Sequence, residues 1–344
     1  MRVHFDVTHP AHVHLFRNAI ESLAAADHAV GVTAREKEVT TQLLDAYGIE
    51  HEVLSRKREP AWALGPEWGL RTLKTVDYVR RFDPDVVVSQ LNPAAVGAAA
   101  VTRTPNVVFH DSETAGKLAD VLAPLSDAVC SPAGVQQNLG GDHRRYDGFH
   151  ELAYLHPNQF EPDRELLREH GVDPDEPYSV LRFVSMGAYH DVGEAGLTPE
   201  QKYRVAEELA EHGPVYVSSE GEPPDDLPGE PVPVPPEAIH HLLAEAAVFL
   251  GDSDTMSIEA AVLGTPSVRV DSFGDGDVLG CFHDLERFDL VHSTTDGDEA
   301  IERAVELAED PAARDRWAER RDRLLAETVD VSEYMLETIQ EVAG

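Results

Sequence analysis

Short apolar, β-branched runs separated by helical stretches constrain this chain most, because a parallel sheet with helical crossovers is what uses that rhythm. Runs at 3–7, 29–33, 86–89, 106–110 and 128–131 alternate with helical patterns at 16–25, 39–47, 68–82 and 93–101. A stretch rich in Pro and charge at 156–177 interrupts the pattern and reads as a linker. The rhythm then restarts. Strand-like runs at 178–184, 214–218, 248–250 and 267–270 accompany helical segments at 199–211, 238–246, 255–263, 299–309 and 312–327. The expected architecture is α/β, with Rossmann-like domains over 1–160 and 176–328 and a C-terminal helix within 329–344. A length of 344 residues suits two such domains. Ligands of open parallel sheets sit beyond the carboxyl ends of the strands. Both sheets are therefore expected to present strand-end loops to a central cleft.

Charge excludes one class of partner. The 64 acidic and 28 basic residues give −36, and affinity for nucleic acid comes from neutralising phosphates with Lys and Arg. The acid is spread along the chain, which fits a surface kept soluble in a salt-rich cytosol. A mean hydropathy of −0.31 with 42% apolar residues leaves enough for a core. No run of 18 apolar residues offers a spanning helix. The opening "MRVHFDVTHP" lacks the apolar stretch of a signal peptide, so the expected location is cytoplasmic. Cys130 and Cys281 are isolated, without zinc spacing, and read as buried filler.

Two stretches carry candidate chemistry. In "VHFDVTHPAHVHLF" (3–16) the first strand ends at Thr8–His9, and Pro10 suits the first turn of a following helix. His9 and His12, three apart, share a face, whereas His14 is rotated from His12 by about 200°. One ion bound by all three is thus disfavoured, His14 reads as structural or surface, and His9 and His12 become acid–base or substrate contacts. In "FLGDSDTMSIEAAVLGTPSVRV" (249–270) a strand ends at Gly251, and Ser253 or Asp254 can cap a helix whose free N–H groups suit phosphate. Glu259 lies one turn beyond Thr255 on the same side, where a carboxylate can accept from two vicinal hydroxyls. Gly264 stops the helix. A plain capped crossover with an exposed Glu fits the same spacing.

Residues 251–266 resemble the nucleotide-sugar loop of GT-B glycosyltransferases and of UDP-N-acetylglucosamine 2-epimerases. That loop runs Asp-Ser-Gly-Gly, then Glu-Ala, then Gly-x-Pro. The resemblance implies Ser253 and the following backbone at a diphosphate and Glu259 at ribose hydroxyls. Asp254 and Thr255 stand where the pattern has paired glycines. Residues 82–113 are similar to the epimerase segment ending in His-x-Glu-Ala-Gly, which puts His110, Asp111 and Glu113 at a strand end. Where the epimerases carry an acid after the preceding strand, this chain has Ser89, Gln90, Leu91 and Asn92, which favours group transfer over epimerisation. With "DVTHPAHVHLF", "RFVSMGAYHDVGEAGL" and "DTMSIEAAVLGTPSV", the whole chain is similar to domain-of-unknown-function family 354, described as predicted glycosyltransferases of the GT-B fold.

The implied activity moves a sugar from a nucleotide-diphosphate sugar to a glycan or lipid-linked acceptor. It needs no metal or cofactor besides the nucleotide sugar. His9, His12, His110 or Glu113 would supply the base, a task that a His with a pKa near neutral fits. Arg182, Ser185, His190, Glu220, Ser253, Asp254, Thr255 and Glu259 would hold the donor. Arg56, Lys57 and Arg58 beside Trp62 form the only cationic cluster, either a solvated loop or a weak contact with an acceptor or a membrane surface. Residues 274–286 mix Asp275, Asp277, His283 and Asp284 but match no calcium loop, and read as a flexible loop. Two alternatives stand beside transfer: a UDP-sugar 2-epimerase-like enzyme, and a non-catalytic or metal-binding protein using the histidine-rich loops.

Overall fold

The computed structural model describes residues 1–57, 64–111, 116–183, 196–219, 226–270 and 280–344. They form two units, residues 1–159 with 328–344 and residues 160–327. The first unit runs β1 (Arg2–Val7), α1 (Pro10–Ala25), β2 (Ala29–Glu36), α2 (Thr40–Ala46), β3 (Glu52–Arg56), α3 (Leu64–Phe82), β4 (Val86–Gln90), α4 (Pro93–Thr102), β5 (Asn106–Phe109), α5 (Gly116–Leu122), β6 (Ala128–Pro132), β7 (His143–Tyr146) and α6 (Leu152–Leu155). The second runs α7 (Arg164–Glu169), β8 (Ser179–Phe183), α8 (Pro199–Ala210), β9 (Val215–Ser219), β10 (Glu230–Pro231), α9 (Ile239–Glu245), β11 (Val248–Gly251), α10 (Asp254–Leu263), β12 (Ser267–Val270), α11 (Gly280–Arg287), β13 (Val291–Thr294), α12 (Gly297–Glu309) and α13 (Ala313–Leu325). The last helix, α14 (Val331–Ala343), returns to the first unit.

Both sheets are parallel, ordered β3-β2-β1-β4-β5-β6-β7 and β10-β9-β8-β11-β12-β13. Each reverses its strand order once, between β1 and β4 and between β8 and β11. These reversals are the switch points at which open α/β sheets place their ligands.

Helix covers both faces of the first sheet, so β1 is buried on each side. Val3, Phe5 and Val7 are inaccessible, and the Phe5 ring meets Phe16 of α1 at 5.5 Å. His4 and Asp6 point to the opposite face, where Tyr78 of α3 lies 4.8 Å from the His4 ring. That face carries an unusual polar network. Arg71 of α3 donates to Asp6 Oδ1 at 2.5 Å and to the Ala34 carbonyl at 3.0 Å. Thr33 donates to the same Asp6 oxygen at 2.6 Å, leaving its own oxygen to accept from His4 Nε2 at 2.8 Å. Beside it Arg35 grips Glu67 through two bonds of 2.7 and 3.1 Å.

Burial pushes His4 down from 6.5 to about 4. As pH falls through that window the unfolded chain takes up a proton that the native one refuses, so stability is lost on acidification. The melting temperature is expected to drop between pH 7 and pH 5, and to drop less in His4→Gln. An equal drop in both proteins would contradict this account.

The linker reading of 156–177 gives way to structure. The second unit begins at Phe160, and α7 is capped by Asp163, which accepts the amides of Glu165 and Leu166 at 3.0 Å. Residues 274–286 also divide. Positions 274–279 lie outside the described residues, whereas from Gly280 the chain is helical with Phe282 and Leu285 buried. Of the two thiols, Cys130 is buried, with its pKa pushed up to about 11 by that burial, while Cys281 is only half-buried. Among the described residues no helix is long and apolar enough to cross a membrane.

Candidate functional site

In the first unit the carboxyl ends of β1, β4 and β5 gather the polar groups. His9 caps α1, its Nδ1 accepting the Ala11 amide at 3.3 Å, with Pro10 in the first turn. His12 Nδ1 accepts the Thr8 amide at 3.4 Å, and the two imidazoles lie 5.9 Å apart. His14 is buried between Tyr154 and Tyr47, with ring centroids at 5.4 and 5.9 Å.

These bonds set the tautomers. A neutral imidazole that accepts at Nδ1 carries its proton on Nε2, so His9 and His12 present donors. Burial pushes both down, to about 4 for His9 and, with His9 adding to it, to about 3 for His12. Neither has the near-neutral value expected of a base: His12 is buried and His9 partly so, and among the described residues neither has an acidic partner within hydrogen-bond distance. Glu38 lies 3.9 Å from His9 Nε2. Glu38 sits in the left-handed region at φ 50°, an uncommon place for a residue other than Gly.

Asp111 follows β5 and is the carboxylate that the site brings forward. It accepts from Gln90 Nε2 at 3.0 Å and from His150 Nδ1 at 2.9 Å. His150 is 5% exposed and Asp111 37%. Burial pushes the Asp111 carboxyl up, but His150, His110 and His12 outweigh it and hold Asp111 ionised, well below the ordinary range. His110 is buried at 2%, with its amide on the Cys130 carbonyl. Gln90 occupies the stretch where an epimerase acid was missing, and Asn92 caps α4 through the Ala95 amide at 2.9 Å. Glu113 lies outside the described residues.

In the second unit a row of residues crosses the strand ends in register: Ser218, Arg182, Gly251, Arg269 and Ser293. Arg182 donates to Ser218 Oγ at 2.9 Å. Gly251 fits here because a Cβ would sit 2.8 Å from the Arg182 carbonyl and 3.0 Å from its Cβ. Directly after it, Ser253 caps α10, accepting the Met256 amide at 3.5 Å, and Gly264 ends the helix at φ 80°. The unpaired amides of the first turn and the positive end of the helix dipole therefore open at the switch point, beside Arg182.

Asp254 and Thr255 form the first turn and are half-buried. Asp254 Oδ1 accepts from Arg269 Nε at 2.7 Å. Glu259 is 4% exposed rather than free at the surface, and its Oε1 accepts from His240 Nε2 of α9 at 2.9 Å. Ser185, His190 and Glu220 lie outside the described residues. So do Arg58 and Trp62 of the cationic cluster. Of its other members, Arg56 pairs with Glu36 at 2.5 Å and Lys57 is exposed. Among the described residues no group of three or more His, Cys, Asp or Glu is arranged to hold a metal ion.

Sequence reasoning put Asp111 at its strand end without a role, and it did not single out His150, Glu38, His240 or Arg269 as partners of the candidate residues. One signal was available: Arg269 is a lone charge inside the apolar strand "SVRV", and a buried charge requires a partner. His150 and His240 stand in no recognisable spacing, and only tertiary contact brings them to their carboxylates.

Comparison with solved structures places this arrangement in a known fold. The glycosyltransferase VinC in complex with DTDP aligns over 100% of this chain and 99% of its own, at 14% identity and a TM-score of 0.65. UDP-GlcNAc 2-epimerase from Neisseria meningitidis bound to UDP-GlcNAc aligns over 99% and 100%, at 14% identity and 0.69. The spinosyn rhamnosyltransferase SpnG complexed with thymidine diphosphate aligns over 99% and 100%, at 13% and 0.62. The two parallel sheets are thus those of GT-B glycosyltransferases and the 2-epimerases. No curated protein matches the sequence. A family model matches residues 1–343 end to end, and the chain belongs to that family, DUF354, whose description is protein of unknown function.

Proposed function

We propose that this protein is a glycosyltransferase that takes a sugar from a nucleotide-diphosphate donor and passes it to a glycan or lipid-linked hydroxyl. The observation that carries the reading is the capped N-terminus of α10 opening beside Arg182 at the switch point of the second sheet. Amide donors, a helix dipole and a guanidinium there suit a diphosphate and would offset the charge that develops as it leaves. Ser253, Asp254 and Thr255 supply the backbone amides. Glu259, oriented by His240, accepts from the ribose hydroxyls. The structures it resembles were solved with DTDP, thymidine diphosphate or UDP-GlcNAc.

The first unit supplies the acceptor groups. Asp111, held ionised, accepts a hydrogen bond from the acceptor hydroxyl and orients it. The hydroxyl's proton leaves with the departing diphosphate as the new glycosidic bond forms, and the His9 Nε2–H donates to the sugar. Transfer is favoured over epimerisation by Gln90, an amide where the epimerases carry an acid.

Isothermal titration with UDP, dTDP and 2′-deoxy-UDP tests the donor half. Wild-type protein is expected to bind UDP more tightly than 2′-deoxy-UDP, and Glu259→Gln to lose about 10- to 100-fold of UDP affinity together with that preference. If no nucleoside diphosphate binds at millimolar concentration, the reading is wrong.

A further inference from the structure

The diphosphate reading leaves one electrostatic difficulty, because Asp254 puts a carboxylate in the first turn of the helix that would receive an anion. Two like charges about 5 Å apart repel by several-fold to a hundredfold in affinity at the dielectric of a half-buried site. The structure supplies a counterweight. Arg269 comes from β12, directly across from Gly251 in the strand register. Its Nε reaches Asp254 Oδ1 at 2.7 Å. The arginine is 2% exposed, and its guanidinium lies 4.0 Å from the centre of the Phe282 ring, while Asp254 is 31% exposed. The strand fixes the backbone of Arg269 and the aromatic face of α11 fixes its guanidinium plane. Asp254 is therefore held by a rigid cation on its inner side.

We propose that Arg269 is the positioning residue that lets this chain bind a diphosphate despite Asp254. By pairing with Asp254 it cancels the carboxylate's charge and turns it away from the amides that the ligand needs. The pair does together what two glycines do by carrying no side chain. The inference rests on the donor reading above, and its test separates the two.

Four proteins are titrated with UDP by calorimetry: wild type, Arg269→Met, Asp254→Asn, and the double variant. Arg269→Met bares the carboxylate and is expected to weaken UDP at least about 30-fold. Asp254→Asn keeps its backbone amide and leaves the charge of Arg269 uncancelled, so it is expected to bind UDP more tightly than wild type. The double variant, lacking both charges, is expected to recover to within about threefold of wild type. Melting curves of the four proteins separate charge cancellation from support of the fold. The affinity loss of Arg269→Met is expected at a temperature where that variant is fully folded, so that recovery in the double variant reports the charge and not refolding. Arg269→Met at wild-type affinity would overturn the proposal, as would a double variant no better than the single one. Failure of wild-type protein to bind UDP at all would instead remove the donor reading itself.

Discussion

Arg71→Met is expected to lower the stability of the first unit by about 3–5 kcal/mol, because it strands a buried carboxylate. Arg71 and Asp6 are both inaccessible to solvent. With the guanidinium gone, Asp6 Oδ1 keeps, among the described residues, the Thr33 hydroxyl, and one neutral donor does not replace a cation in a dry interior. The Ala34 carbonyl and Ser55 hydroxyl lose a donor as well. At about 2–4 °C per kcal/mol for a unit of this size, the melting temperature falls by roughly 10 °C. Pairing the change with Asp6→Leu is expected to restore more than half of the loss, since an apolar pair of similar volume has no charge to desolvate. Calorimetry of the three proteins checks this, and a single variant as stable as wild type would contradict it.

The second large effect concerns turnover. Asp111→Asn is expected to reduce kcat by about 10- to 10³-fold while leaving UDP affinity unchanged, the signature of a lost contact that orients the acceptor hydroxyl rather than lost donor binding. His9→Gln makes the sharper comparison. Gln retains an N–H near the position of Nε2 but takes up no proton. If His9 is the donor that its Ala11 bond implies, the Gln variant keeps its rate to within about tenfold. If His9 were the base, its rate would fall by about 10²- to 10⁴-fold. UDP release from the consumed nucleotide sugar, followed in both variants, decides between donation and proton uptake at His9.

Much of the architecture was legible because it is written in local signals. The alternation of apolar runs and amphipathic stretches gave both sheets, Pro10 after His9 gave the start of α1, and Ser253 and Gly264 gave the bounds of α10. The short edge strands β3, β7, β10 and β13 were not legible. They hold two to five residues each, too few for a periodic pattern to emerge from the surrounding loop. The return of α14 to the first unit was equally hidden. It depends on partners far away in sequence, such as Gln159 on Asp330 and Ala153 on Ser332.

The site was legible in outline and not in its pairings. The sequence pointed to the histidines at the end of β1 and to the helix after Ser253. It could not tell which imidazole nitrogen bears a proton, because that is set by the Thr8 and Ala11 amides. Nor could it find that Asp254, a charge that looked hostile to an anion, is already matched by Arg269. Both facts are properties of contact geometry.

The central claim is that the first turn of α10 receives a nucleoside diphosphate, and hydrogen exchange on the full chain tests it most directly. With saturating UDP, the amides of residues 253–257 are expected to exchange markedly more slowly, while those of α4, the corresponding helix of the first unit, are unchanged. Exchange at 253–257 that stays the same with UDP bound, or protection that appears on α4 instead, would contradict the account.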